Sequence, residues 1–140
     1  MEFTHAFYDA LPPEAAAIRQ AVFVEEQGFQ EEFDAIDRHA LHLLLFADGR
    51  PMGTLRAFTE DGGTRWHIGR VAVVKSARQL HLGRRMMDLA EAELRRRGAA
   101  GIEVSAQCRV QPFYEKCGFT PVGEVYLDEF CPHIRMVKEL

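Results

Sequence analysis

Residues 66–97 read WHIGRVAVVKSARQLHLGRRMMDLAEAELRRR. An apolar strand runs into a short polar loop, and a long basic helix follows at once. The first turn of a helix carries unpaired backbone N–H groups and the positive end of the macrodipole, and phosphates settle there. The loop Ser76 to Gly83 lies where such an anion would sit. Within the strand, Trp66 and Ile68 are apolar on even positions, whereas Val71 and Val73 are apolar on odd ones. Strand side chains alternate faces with period two, so a phase slip at Gly69 and Arg70 predicts a β-bulge. A bulge frees backbone donors from the ladder, and donors beside an anion-binding loop suit a phosphorylated ligand that also carries a carbonyl. Gly83, Met87, Ala90 and Leu94 then follow one helical face, with Arg84, Arg85 and Arg95 to Arg97 off it. The same pattern also suits an ordinary strand–loop–helix unit with a solvated basic face.

Outward from that stretch the chain alternates strands and helices. Phe3 to Tyr8 reads as a first strand. Pro12, Pro13 and Glu14 open a helix, with Ala17, Ile18, Ala21 and Val22 as its apolar face and Gly28 as its end. Gln30 to Asp37 is acidic and reads as a short helix or a loop. Leu41 to Phe46 is continuously apolar and reads as a buried strand. Met52 to Thr59 is its hairpin partner across Asp48-Gly49, and Asp61-Gly62-Gly63 turns the chain into the central strand. After the helix stops at Gly98, Gly101 to Ala106 forms a strand with Ile102, Val104 and Ala106 on one face. A short helix spans Pro112 to Lys116, and Pro121 to Leu127 and Ile134 to Val137 are the last strands. The expected fold is a mixed α/β sheet of about seven strands with about four helices in one domain, 1–140.

Composition narrows the class. The hydrophobic fraction of 47% is ordinary for a globular protein. No apolar run approaches a membrane span, and the N-terminus lacks the basic-then-apolar pattern of a signal peptide. Cys108, Cys117 and Cys131 are odd in number and share no CxxC spacing, which fits free thiols in a cytoplasmic protein. The net charge of -4 is unevenly spread. Residues 1–64 hold 12 acidic and 4 basic side chains, and residues 65–98 hold 3 acidic and 9 basic. The first segment suits a cation and the second an anion. A pI near 5.9 argues against nucleic acid as a partner.

Two motifs carry a resemblance. Arg78-Gln79-Leu80-His81-Leu82-Gly83 resembles the Q/R-x-x-G-x-G/A loop of the GNAT superfamily of acyl-CoA N-acyltransferases, with His81 in place of the middle glycine. That glycine lets backbone approach a pyrophosphate closely; His81 keeps the N–H and adds bulk. Gln107 to Tyr114, followed by Gly118-Phe119, is similar to the family's N-x-x-A-x-x-F-Y…G-F signature, with Gln107 and Val110 as departures. Arg19, Ala21 to Val24, Glu26-Gln27, the Asp34 to His42 segment and Pro132-His133 before Met136 resemble a subgroup of small, stand-alone bacterial acetyltransferases.

The resemblance implies transfer of an acetyl group from acetyl-CoA to a primary amine of a small molecule or peptide, by direct attack in a ternary complex. It implies that backbone at Val71, Ala72 and Val73 holds the acetyl carbonyl and pantetheine arm. Arg78, Gln79, Leu80, His81, Leu82, Gly83 and Arg84 would hold the pyrophosphate, with Gln107 and Phe113 alongside. Thiolate departure benefits from a proton, and a phenol, titrating ordinarily near about 10, keeps one at neutral pH; Tyr114 is the candidate acid. Glu26, Asp37, His42 and His133 are the candidates at the acceptor side. A CoA-binding sensor with little turnover is the alternative. His39-x-x-His42 with Asp34 and Asp37 raises a metal reading, but a spacing of three puts the histidines on opposite strand faces, and no metal is expected. Cys117 reads as a small buried hydrophobe. Small family members often pair, so a homodimer is among the expected assemblies.

Overall fold

The computed structural model describes all 140 residues. Seven strands form one sheet: β1 (Phe3–Tyr8), β2 (Leu41–Ala47), β3 (Arg50–Phe58), β4 (Arg65–Val73), β5 (Gly101–Gln107), β6 (Thr120–Asp128) and β7 (Cys131–Glu139). Their order is β1-β2-β3-β4-β5-β7-β6. Neighbours are antiparallel except β4 and β5, which are joined by a crossover through α2 (Leu82–Arg96) and run parallel. α1 (Pro13–Arg19) precedes β2, and α3 (Gln111–Lys116) follows β5.

β2 is buried along both faces, and that explains its unbroken apolar run. Leu41, Leu43 and Leu45 join the core under α2, with Leu82, Met86, Ala90 and Leu94 opposite. Leu44 joins a second core under α1, with Ala15, Ile18, Val22 and Phe23. The α1 face departs from its expected pattern. Ala17 and Ala21 are exposed, whereas Arg19 is sealed at 1% exposure. After Arg19 the helix widens into a π-helical stretch, Gln20–Glu26, which turns Val22 and Phe23 inward. Periodicity passed over Arg19 because an arginine joins a core face only when carboxylates accompany it. The undecided segment 30–37 is a loop closed by a short 3₁₀ turn, Ala35–Arg38, with Asp34 and Asp37 as a reciprocal cap.

Candidate active site

β4 and β5 pair from Arg65↔Gly101 to Ile68↔Val104 and then part. Beyond that point β4 pairs only with β3, and β5 only with β7. The bulge lies at the parting. Thr54 faces Ala72 and Arg56 faces Gly69, so Arg70 and Val71 together oppose Leu55. Arg70 has φ 54°, a left-handed conformation that costs a non-glycine residue roughly 1–2 kcal/mol. Its guanidinium is anchored in compensation: Nε lies 3.0 Å from Glu32 Oε2, and Nη2 donates to Glu32 O at 3.1 Å. Val74 N donates to Met52 O on β3 at 2.9 Å. Strand donors alternate edges, so the N–H groups of Val71 and Val73 face the split while that of Ala72 faces β3.

The loop after β4 is a 3₁₀ turn, Lys75–Leu80, ended by His81 at φ 57°, ψ 38°. That left-handed residue starts α2, no side chain caps the helix, and its first turn holds no acid. A cleft of about 570 Å³ lies against this turn, lined by Val73, Arg78, His81 and Arg84 on one side and Phe113 and Lys116 on the other. A Cβ on Gly83 would stand 3.2 Å from Phe113 Cζ. The loop glycine and the Phe113-Tyr114 pair are therefore one packing unit. Arg78 is forked onto Glu26, with both contacts at 2.6 Å. Arg84 donates to Asp88 and to Lys116 O.

A second cavity of about 150 Å³ opens at the split, between Arg70 and Val71 of β4, Ser105 and Gln107 of β5, Tyr114 and His133. Tyr114 packs edge-on to Phe113 and Phe119. Burial pushes its phenol up, so the hydroxyl keeps its proton. Gln107 bridges the mouth, donating to Gln27 Oε1 at 2.8 Å and accepting from Arg109 Nε at 3.0 Å. His133 is 5% exposed. Its Nδ1 lies 2.9 Å from Cys131 O and its Nε2 lies 4.0 Å from Asp128 Oδ2. Glu31, Glu32, Asp128 and Glu129 also line this cavity, giving it an acidic wall.

The model of the acetyltransferase (GNAT) domain family matches residues 9–140. The chain belongs to the GNAT acetyltransferase family. It is 32% identical over 129 residues to the uncharacterized N-acetyltransferase YjcF of Bacillus subtilis, covering 90% of this chain and 91% of that one. It superposes on an acyl-CoA N-acyltransferase of Pseudomonas aeruginosa with a TM-score of 0.83 and 30% identity, over 98% of both chains. An aminoglycoside 6′-N-acetyltransferase complexed with coenzyme A shares the fold at a TM-score of 0.77 and 18% identity, over 97% of this chain and 96% of that one. The protein is thus a GNAT acyltransferase, with the family's mixed sheet. No helix is long and apolar enough to cross a membrane.

Within this GNAT chain the acceptor-side candidates divide. His133 lines the cavity with Tyr114. Glu26 does not: it is exposed on the π-helical stretch and held by Arg78, which lowers its carboxyl. Asp37 and His42 do not either. Asp37 is 7% exposed and bound by Arg19 at 2.7 Å and Arg56 at 3.0 Å. His42 is 1% exposed, sits 2.9 Å from Asp37 O through Nε2, and is driven toward its neutral form by burial. These groups belong to an ionic cluster in which Arg19, Arg56 and Arg70 meet Glu32, Asp34 and Asp37, buried except at Asp34 and Arg70. Cys117 is buried, and burial pushes its thiol up. The cavity residues that the sequence reading missed include Arg70, Ser105, Arg109, Asp128 and Glu129. The signal for Asp128 was the last hairpin: its register puts Asp128 opposite Cys131 and Tyr126 opposite His133.

Proposed function

We propose that this acyltransferase moves an acetyl group from acetyl-CoA to a primary amine, by direct attack while both are bound. The thioester lies in the split, its carbonyl accepting from the N–H groups of Val71 and Val73. Such donors stabilise the oxyanion that develops as the tetrahedral intermediate forms. The pyrophosphate rests on the uncapped start of α2, from Gln79 to Arg84, where N–H groups and the dipole favour an anion. Tyr114, buried and protonated, gives a proton to the departing thiolate. The acidic wall draws a cationic amine into the second cavity.

The observation that carries this reading is the parting of β4 and β5 at the bulge. Val71 and Tyr114 line the cavity at that parting, and Val73 lines the cleft against the uncapped start of α2. The GNAT relative complexed with coenzyme A supports a CoA ester as the donor. The test is calorimetric titration with acetyl-CoA, followed by free-thiol release across alkylamines, arylalkylamines, polyamines and amino-acid amides. Binding with release for at least one amine is expected. Binding with no release from any of them favours a sensor, and no binding at millimolar acetyl-CoA overturns the reading.

A further inference from the structure

His133 has a feature that no other histidine of the chain shares. Its Nδ1 faces the carbonyl oxygen of Cys131 at 2.9 Å. A carbonyl only accepts, so Nδ1 carries the proton and the lone pair of the neutral ring sits on Nε2. The ring is held in place by Tyr126, stacked at 6.1 Å between centroids, and by the edge of Phe29 at 6.4 Å. Pairing of Gln107 with His133 fixes the residue at the end of β5, on the rim of the split. Nε2 is thus turned to Asp128, a carboxylate with no guanidinium on it, at 4.0 Å.

The surroundings sort the other charges. Glu32 is taken by Arg19 and Arg70. Glu129 accepts from the backbone of Gln30 and Glu31. Arg109 donates to Gln107 at the mouth. Glu31 and Tyr114 line the wall, and the Tyr126 hydroxyl is bonded to Ser105 Oγ.

We propose that His133 Nε2 is the base that deprotonates the acceptor amine, with Asp128 as its positioning partner. This rests on the acetyl-transfer reading above. Nε2 takes one proton from the bound ammonium and so frees the nitrogen lone pair. That pair forms the C–N bond at the thioester carbonyl, and the carbonyl π electrons move to oxygen. Their return breaks the C–S bond and expels the thiolate. The surplus proton on nitrogen reaches sulfur through Tyr114, whose hydroxyl gives its proton to sulfur and takes that of nitrogen. His133 then releases its proton to solvent past Asp128. The products are the N-acetyl amine, the CoA thiol and one proton.

The experiment compares wild type, His133→Asn and Asp128→Asn, using the panel amine that wild type turns over fastest. Asparagine keeps a donor toward Cys131 O and removes Nε2. Acetyl-CoA affinity should stay within about twofold, while kcat/KM of His133→Asn falls about a hundredfold or more and the acid limb of its pH profile disappears. In Asp128→Asn, which keeps the imidazole and removes its partner, kcat at saturating amine should fall about threefold or more while acetyl-CoA affinity is unchanged. A wild-type limb in His133→Asn overturns the assignment and leaves acetyl transfer standing. Should His133→Asn fail to fold, Asp128→Asn decides, and a wild-type kcat there overturns it. No thiol release by wild type with any amine overturns both readings.

Discussion

Asp37 with His42 under α1, and Asp128 with His133 at the rim of the split, are the same pair of residue types in two surroundings. In the first, His42 spends Nε2 on a backbone carbonyl, and Asp37 is matched by two arginines. In the second, His133 spends Nδ1 instead, and Asp128 has no arginine. The first pair is sealed from solvent; the second faces a cavity, and the Asp128 side chain is 52% exposed. An ionisable group is available to a solute only where its charge and lone pairs are not already answered by the chain. The cluster serves the cleft indirectly, since Glu32 and Asp34 anchor Arg70 and with it the bulge.

Breaking the sealed side should give the largest effect on folding. Arg19→Met strips a guanidinium from Glu32 and Asp37 and leaves both carboxylates buried. Denaturant unfolding should show a loss of about 3 kcal/mol, the low end for breaking a buried pair, because Arg70 still holds Glu32 and Arg56 still holds Asp37. A loss under about 1 kcal/mol would mean that water already reaches the cluster. Breaking the open side should affect rate instead. Tyr114→Phe should lower kcat about ten- to a hundredfold at saturating amine while the melting temperature barely moves. A wild-type kcat would remove Tyr114 from the chemistry.

Acid separates the two regions more gently. Burial pushes the Asp37 carboxyl up, but Arg19 and Arg56 outweigh that and hold it at about 2, against an ordinary 3.8. A carboxyl lowered by folding contributes stability above its unfolded value and loses it as pH falls through the folded one. The stability advantage of wild type over Asp37→Asn should therefore be full near about pH 6 and shrink between about pH 4 and about pH 2. An advantage that stays constant through that window would contradict the proposed pairing.

The Glu26–Arg78 pair stands between the two regimes, forked but 36% and 40% exposed. Exposed pairs contribute little, so Glu26→Gln should leave the melting temperature almost unmoved. Arg78 would then be free for phosphate, and acetyl-CoA binding at low salt should tighten by about two- to fivefold. Unchanged affinity would place Arg78 away from the phosphates.

Most of the architecture was legible because it rests on local signals. The slip between Ile68 and Val71 marked the bulge, and turn residues bounded the strands. What could not be read was which charges cancel. Arg19 lies between two alanines of an apparent apolar face, and only the fold brings it to Glu32 and Asp37, which are 13 and 18 positions away. Asp37 and His42 looked available for the same reason. Asp128 went unread because only the β6–β7 register, which sets it opposite Cys131, brings it within 4.0 Å of His133. Motif spacing located Tyr114 and Gly83, but not the Phe113 contact that makes them one unit.

The central claim is that amides freed at the bulge and at the start of α2 hold the acyl donor. Amide hydrogen exchange, with and without saturating acetyl-CoA, measures those groups themselves. Added protection is expected at Val71, Val73 and across Gln79 to Arg84, with Leu43 to Leu45 in the middle of the sheet unchanged. Unaltered exchange at Val71 and Val73 in protein shown by calorimetry to be loaded would contradict the claim.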